Sequence, residues 1–299
     1  MKVRNISKKF ITYNFLNKKV NYVLNNISFE LVDGEILGLI GPNGSGKTTL
    51  IKIILNLIEP NNGDIFINNR EDKYLAYIDS NTRSFFWRLT PRDNLIFYGK
   101  LLDLSKQEIN SRINKLSKEF GVENILDLPF MKLSSGQMQI FNIIRALMRE
   151  PSYIFLDEPT TNLDLEKSNS LLNTLKNYLL EKKIPTIWCS HDLDEIDSVC
   201  TRFAILNDKK FKILEKDQFI SIKNQSNHYF FEIEKSNLDK IDKDFEIVSE
   251  LENTLIINFS NYGYTLDKLI NFFVNRDIKL ISIENKKSKN DFKFDEFFK

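Results

Sequence analysis

Gly41, Gly46, Lys47 and Thr48 fill the pattern GxxxxGK followed by Thr, inside the stretch GPNGSGKTT. Glycines at these places let the backbone bend closely round an anion, so that successive N–H groups converge on its oxygens. A helix opening near Gly46 would aim its positive end at the same oxygens. Lys47 can reach the β- and γ-phosphates as a mobile point charge, and Thr48 can offer its hydroxyl to Mg²⁺. EILGLI before the loop reads as a buried strand and KTTLIKIILNLI after it has helical apolar spacing, which is the context such a loop requires. The pattern points to a bound nucleoside triphosphate, and alone it points to binding only.

Chemistry needs acids and bases as well. YIFLDEP carries Asp157 and Glu158 at the end of an apolar run that reads as a parallel strand covered on both faces. Ligands of open parallel sheets sit beyond the carboxyl ends of the strands, so both side chains can face the phosphate loop. Asp157 is suited to hold Mg²⁺, directly or through water. Glu158 is suited to orient the attacking water or take its proton. Neighbouring acids after a strand also serve as plain helix caps, and it is the phosphate loop that favours the catalytic reading. His191, in CSHD, follows the next buried strand, PTIWCS; His228 is the other of the two histidines. A histidine there is often a surface or capping residue, but strand order brings it near the γ-phosphate, where its ring could bond that group. KLSSGQMQ, from Lys132 to Gln139, opens a helix with small residues that can cap it or cradle an anion.

These residues need a scaffold. The chain has 299 residues, 42% of them apolar, enough for one large domain and one small one. Strands and helices alternate through most of the first 215 residues, and Ser105 with Glu108 marks a helix start at capping-box spacing. A polar patch over 222–227 reads as a linker, between a large domain at 1–221 and a small α+β domain at 228–299. Past the linker the order strand HYFFEIE, helix SNLDKID, strands FEIVSE and TLIINFS, helix TLDKLINFFVNR and strand IKLISIE predicts a split-βαβ, ferredoxin-like unit. Net charge is +1, with 42 basic and 41 acidic residues, so the basic footprint of a nucleic-acid binder is missing. Cys189 and Cys200 lack metal-site spacing and read as buried thiols in a reducing cytosol. The first residues, MKVRNISKKF, have no signal-type apolar core, and no uninterrupted apolar run of about 18 residues occurs. Any membrane-spanning part is expected in another subunit.

Taken together, the motifs resemble those of the ATP-binding subunits of ABC transporters. GPNGSGKTT looks like that family's Walker A, YIFLDE like Walker B, TNLD like the D-loop through Asp164, and SHD like the switch histidine. LSSGQ is similar to the signature LSGGQ, with Ser135 where a glycine is usual. The resemblance covers about Met1 to Glu215 and implies a P-loop α/β core with an antiparallel β subdomain and a helical subdomain at about 81–150. It implies Mg·ATP bound through Gly41, Pro42, Asn43, Gly44, Ser45, Gly46, Lys47, Thr48 and Thr49, and hydrolysis by Glu158 with His191 and Lys47. It also implies that Leu133, Ser134, Ser135, Gly136 and Gln137 contact nucleotide held by a second ATPase subunit, most simply an identical one, with Asp164 linking the sites. The interval from Lys47 to Leu133 fits a compact helical subdomain, with no room for a long coiled coil.

The sequence departs from the family pattern at two places. Ser80 stands where a metal-reaching Gln is usual and is too short to span the same distance without a bridging water. Phe10, after SKK, stands for the adenine-stacking Tyr, with Tyr13 and Tyr22 as alternatives. SFFWRLT, with RDNL after it, resembles the corresponding loop of ABC-2 type exporters, and the C-terminal unit with its FDEFF end resembles an extension found in that branch. Phe85, Phe86 and Trp87, between Arg83 and Arg88, are expected as the anchor for an integral membrane subunit, since interface centres favour such residues. The implied place is cytoplasmic, peripheral on the inner membrane face.

Overall fold

A computed structural model describes residues 1–14, 17–67, 74–80, 84–160, 165–225, 229–241, 245–251, 253–259 and 266–285. Asp164, Asn81, Arg83, His228 and the FDEFF end lie outside the described residues. The chain divides into two compact units, Met1–Leu214 and Glu215–Lys299.

The first unit opens with a long antiparallel pair, β1 (Lys2–Asn14) and β2 (Asn17–Glu30). Next come β3 (Ile36–Ile40), helix α1 (Lys47–Ile54), β4 (Asn62–Phe66) and β5 (Leu75–Asp79). β4 joins the free edge of β1, giving a three-stranded sheet in the order β2-β1-β4. Gly63 permits that joint: at φ +90° its backbone passes so near Arg4 that a Cβ would lie 2.4 Å from the Arg4 carbonyl oxygen. Val3, Ile6, Leu24 and Ile27 point inward and share one core with Leu50, Ile53 and Ile54 of α1.

Three helices follow, α2 (Pro91–Leu101), α3 (Lys106–Glu119) and α4 (Ser135–Leu147). Each starts at a reciprocal capping box: Thr90 with Asp93, Ser105 with Glu108, Ser134 with Gln137. Such a box satisfies two of the backbone groups that a helix start leaves unpaired. Then come β6 (Tyr153–Asp157), α5 (Leu165–Glu181), β7 (Thr186–Ser190), α6 (Leu193–Val199), β8 (Arg202–Asn207) and β9 (Lys210–Leu214). The large sheet runs β5-β6-β7-β3-β8-β9, parallel throughout except for the β8–β9 pair. β3 and β7 are buried along their whole length, as continuous apolar runs covered on both faces should be.

The aromatic loop differs from expectation at one residue. Phe85 is buried at 3% exposure, stacked on Phe130 with centroids 4.4 Å apart and planes 4° apart. Arg145 covers the Phe85 ring at 4.5 Å. Phe85 therefore belongs to the core of the helical subdomain, and only Phe86 and Trp87, at 46% and 47% exposure, present surface. Fully buried Asn94 clamps the loop, accepting from Phe86 N–H at 2.8 Å and donating to Phe86 O at 3.1 Å.

The second unit contains α7 (Lys216–Gln225), β10 (Tyr229–Glu234), β11 (Phe245–Glu250), β12 (Thr254–Phe259), α8 (Leu266–Asn275) and β13 (Leu280–Asn285). The expected linker is thus helical as far as Gln225. Phe219 in the same helix is fully buried. The sheet is antiparallel in the order β11-β12-β10-β13, the ferredoxin-like arrangement predicted from element order. A short 3₁₀ segment, Lys235–Lys240, takes the place of the first expected helix. Phe231, Ile233, Leu255 and Ile257 pack with Leu269 and Phe273 of α8.

Among the described residues, no helix is long and apolar enough to cross a membrane. Phe85→Ala should lower unfolding free energy by about 3–5 kcal/mol in a urea titration, because it empties a packed aromatic site. Trp87→Ala should cost under about 1 kcal/mol in the same titration, as surface changes usually do.

Candidate functional site

Three adjacent strands assemble the site. Ile40 pairs with Ser190 and Asp157 with Cys189, so β3, β7 and β6 end side by side. The residues that follow them are the Gly41 loop, His191 and Glu158. Asp79 pairs with Asp157, which adds the end of β5 to the same edge.

Gly41 has no room for a side chain: a Cβ there would lie 2.1 Å from the Leu206 carbonyl oxygen. Gly44 and Gly46 take φ of +82° and +112°, left-handed values that tighten the loop. No side chain caps α1, and its first turn holds no acid. Its leading N–H groups and dipole are left to meet an external anion. Lys47 is 7% exposed and donates its Nζ to the carbonyls of Gly41 at 2.6 Å and Pro42 at 3.3 Å. The buried Ser45 Oγ has no hydrogen-bond partner among the described residues. An uncapped helix start, an orphaned hydroxyl in the loop and open space at Gly44 fit a phosphate chain.

The Thr48 hydroxyl donates to Asp157 Oδ2 at 2.7 Å. A hydroxyl and a carboxylate side by side are the hard oxygen donors that Mg²⁺ takes, with waters and phosphate oxygens completing its octahedron. The Tyr77 hydroxyl donates to the same Oδ2 at 3.2 Å. Burial pushes the Tyr77 phenol well above its ordinary range, and the charge of Asp157 adds to the rise, so it remains a donor. Sequence reading overlooked Tyr77; its signal was a hydroxyl two residues before the carboxyl end of a strand, on the face shared with Asp79. Ser80 is exposed, one residue beyond β5.

Glu158 and His191 form a pair, with Oε2 2.7 Å from Nδ1. Glu158 holds φ of +54°, costly for a non-glycine residue. Its N–H donates to Cys189 O at 2.9 Å, which fixes that turn to β7. Its second oxygen, Oε1, is buried with no partner among the described residues, an acceptor that a donor such as water can satisfy. Cys189 and Cys200 are buried as expected, and desolvation raises the Cys189 thiol pKa well above normal, leaving it inert.

Outside this cluster lie two expected groups. Phe10 is 40% exposed on β1, with Lys8 Nζ 5.2 Å from its ring centroid. Phe10 pairs with Asn21 and Lys9 with Tyr22, so Tyr22 and Phe10 occupy opposite faces of the hairpin. At the start of α4, Leu133 and Gly136 are buried, while Ser134 and Ser135 are exposed. Gln137 N–H donates to Ser134 Oγ at 3.4 Å, and Ser134 N–H to Gln137 Oε1 at 3.0 Å. Further along α4, Gln139 and Asn142 donate to Asp79 O at 3.2 and 2.8 Å.

A parallel α/β sheet, a glycine-rich loop capping an uncapped helix start, and acids at neighbouring strand ends define a P-loop nucleoside triphosphatase core, joined here to a β subdomain and a helical subdomain. Residues 24–161 match the family described as ABC transporter. The chain is 31% identical over 198 residues to the ABC transporter ATP-binding protein NatA of Bacillus subtilis, covering 64% of this chain and 80% of NatA. It is 33% identical over 190 residues to the molybdate/tungstate import ATP-binding protein WtpC of Thermococcus kodakarensis, covering 61% of this chain and 57% of WtpC. A post-hydrolysis dimer of the ATP-binding cassette MJ0796 bound to ADP and Pi shares the fold, with TM-score 0.62 and 24% identity over 72% of this chain and 98% of that one. The chain belongs to the family of ABC transporter ATP-binding proteins and is an ATPase of that family.

Gly41→Ala should destabilise the fold by about 1–3 kcal/mol or more, since a backbone oxygen cannot yield as a flexible side chain can. Gly44→Ala meets nothing within 4 Å and should cost only the left-handed backbone term, about 1–2 kcal/mol. Thermal unfolding of the two variants side by side checks the difference.

Proposed function

We propose that the Met1–Leu214 unit binds Mg·ATP at Gly41 to Thr49, closes on a second ATPase subunit around two nucleotides, and hydrolyses them to reopen. The observation that carries this reading is the Glu158–His191 pair, with its orphaned Oε1, one strand from the loop that holds Lys47. Lys47 exchanges two backbone carbonyls for β- and γ-phosphate oxygens. Thr48 and Asp157 would hold the metal, with Tyr77 steadying the carboxylate, and Ser80 is too short to reach it without a bridging water. A magnesium ion held there would supply charge neutralisation of the phosphate oxygens. Glu158 orients the attacking water through Oε1 and accepts its proton. His191 faces the γ-phosphate with Nε2, its Nδ1 being occupied by Glu158. Phe10 supplies a ring face to the adenine.

Ser134, exposed at the start of α4, and the N–H groups near Gly136 contact the partner's γ-phosphate. ATP then favours the closed pair and ADP does not, and that difference in affinity is the source of work. Asp164 links the two sites. Phe86 and Trp87 seat a helix of an integral membrane subunit, held rigid from behind by Asn94 and Phe85. For direction, export is supported by the likeness of SFFWRLT to exporter loops. Import is the second reading, favoured by the likeness to WtpC, named for molybdate/tungstate import. ATP-driven uptake into inside-out vesicles supports export, and uptake into right-side-out vesicles supports import.

Glu158→Gln should retain ATP binding, lose about 10²- to 10⁴-fold in hydrolysis and accumulate as an ATP-bound dimer on light scattering. Near-normal turnover would assign the base elsewhere. Trp87→Ala, in the complex with its membrane subunit, should uncouple transport from an intact ATPase; unchanged transport removes Trp87 from the contact.

A further inference from the structure

Glu195 has no place in the reaction as described, yet with Glu35 it is one of two buried acids among the described residues, at 8% exposure on α6. Its carboxyl collects three donors. Oε1 accepts from Trp188 Nε1 at 2.6 Å. Oε2 accepts from Thr160 Oγ1 at 2.5 Å and from Ser190 Oγ at 3.3 Å. Burial raises the pKa of this acid, while the bonds from Thr160 and Trp188 oppose the rise. A buried carboxyl is tolerated when its oxygens are satisfied in this way.

The positions of the donors matter more than their number. Thr160 lies two residues beyond Glu158, and Ser190 lies one residue before His191. Trp188 sits in the middle of β7 and is fully buried, so it anchors the carboxyl to the sheet. Ser190 Oγ in turn accepts from Asp192 N–H at 3.0 Å, which fixes the turn on the far side of His191. Glu158 meanwhile keeps a left-handed backbone that persists only where the surroundings hold it. Cys189 O holds the near side of that turn, through the Glu158 N–H. Thr160, held by Glu195, restrains the far side.

We propose that Glu195 is a positioning residue for hydrolysis: its carboxyl fastens the segment after Glu158 to the strand that delivers His191, and so sets the geometry of that pair. The inference rests on the reading of Glu158 and His191 as the hydrolytic pair. Displacing a reacting group by about 1 Å can cost on the order of 10²-fold, so loosening this staple acts on turnover. Nucleotide affinity resides in the Gly41 loop and is left alone.

Glu195→Gln keeps shape and the Trp188 acceptor but places an amide N–H₂ where two hydroxyls donate. Its kcat for ATP should fall about 10- to 100-fold, with KM within about twofold. Thr160→Val cuts the staple on the Glu158 side while leaving the Trp188 bond, and serves if the first variant folds poorly. It should lower kcat in the same way, and the double variant should be no slower than the slower single one, because both remove one interaction. Unchanged kcat in folded Glu195→Gln and in Thr160→Val, or a fall in each that multiplies in the double variant, overturns the proposal. Glu158→Gln run alongside separates the two readings. If it turns over normally, the assignment of the pair is at fault; if it stalls while Glu195→Gln and Thr160→Val do not, only the staple is.

Discussion

The hydrogen-bond register among β6, β7 and β3 governs the rest of this molecule. Ile40 opposite Ser190 and Asp157 opposite Cys189 leave the phosphate loop, the histidine and the glutamate emerging at one level. A slip of one residue would send every side chain in the moved strand to the opposite face. Burial on both faces makes such a slip expensive, since β3 and β7 have no exposed position to which an apolar side chain could turn. The core thus holds the geometry of the candidate site in place.

Around that register the chain spends strain and burial locally. Glu158 sits in a left-handed backbone, Ser45 and Glu158 each keep a buried oxygen without a partner among the described residues, and Lys47 folds back on its own loop. The left-handed backbone and the unpaired buried oxygens cost free energy, and a donor placed beside Ser45 Oγ or Glu158 Oε1 would satisfy that oxygen. Their coincidence at the ends of three neighbouring strands separates a binding site from scattered imperfections of packing.

Much of this was legible in the residues. The loop could be read because GxxxxGK uses residue types whose roles depend on local backbone and charge alone. The C-terminal topology could be read because element order constrains strand order once short connections are required. Other features depend on tertiary neighbours. SFFW has no internal periodicity, so nothing marks Phe85 as the ring that stacks on Phe130. Asn94, Tyr77 and Glu195 look like ordinary helix or strand residues until the elements are packed. The polar run before Asn227 reads as a linker because a short polar stretch has the same composition in a helix as in a loop, and the helix continues to Gln225.

The ties from Gln139 and Asn142 to a single carbonyl, that of Asp79, bear on how the helical subdomain can move. Both amides grip one oxygen atom at the tip of β5. Sliding α4 along the sheet must break both grips together, whereas tilting it about that oxygen can preserve them. The two ties thus fix one point of α4 on the sheet edge, and leave the helix's tilt to be set by its other packing.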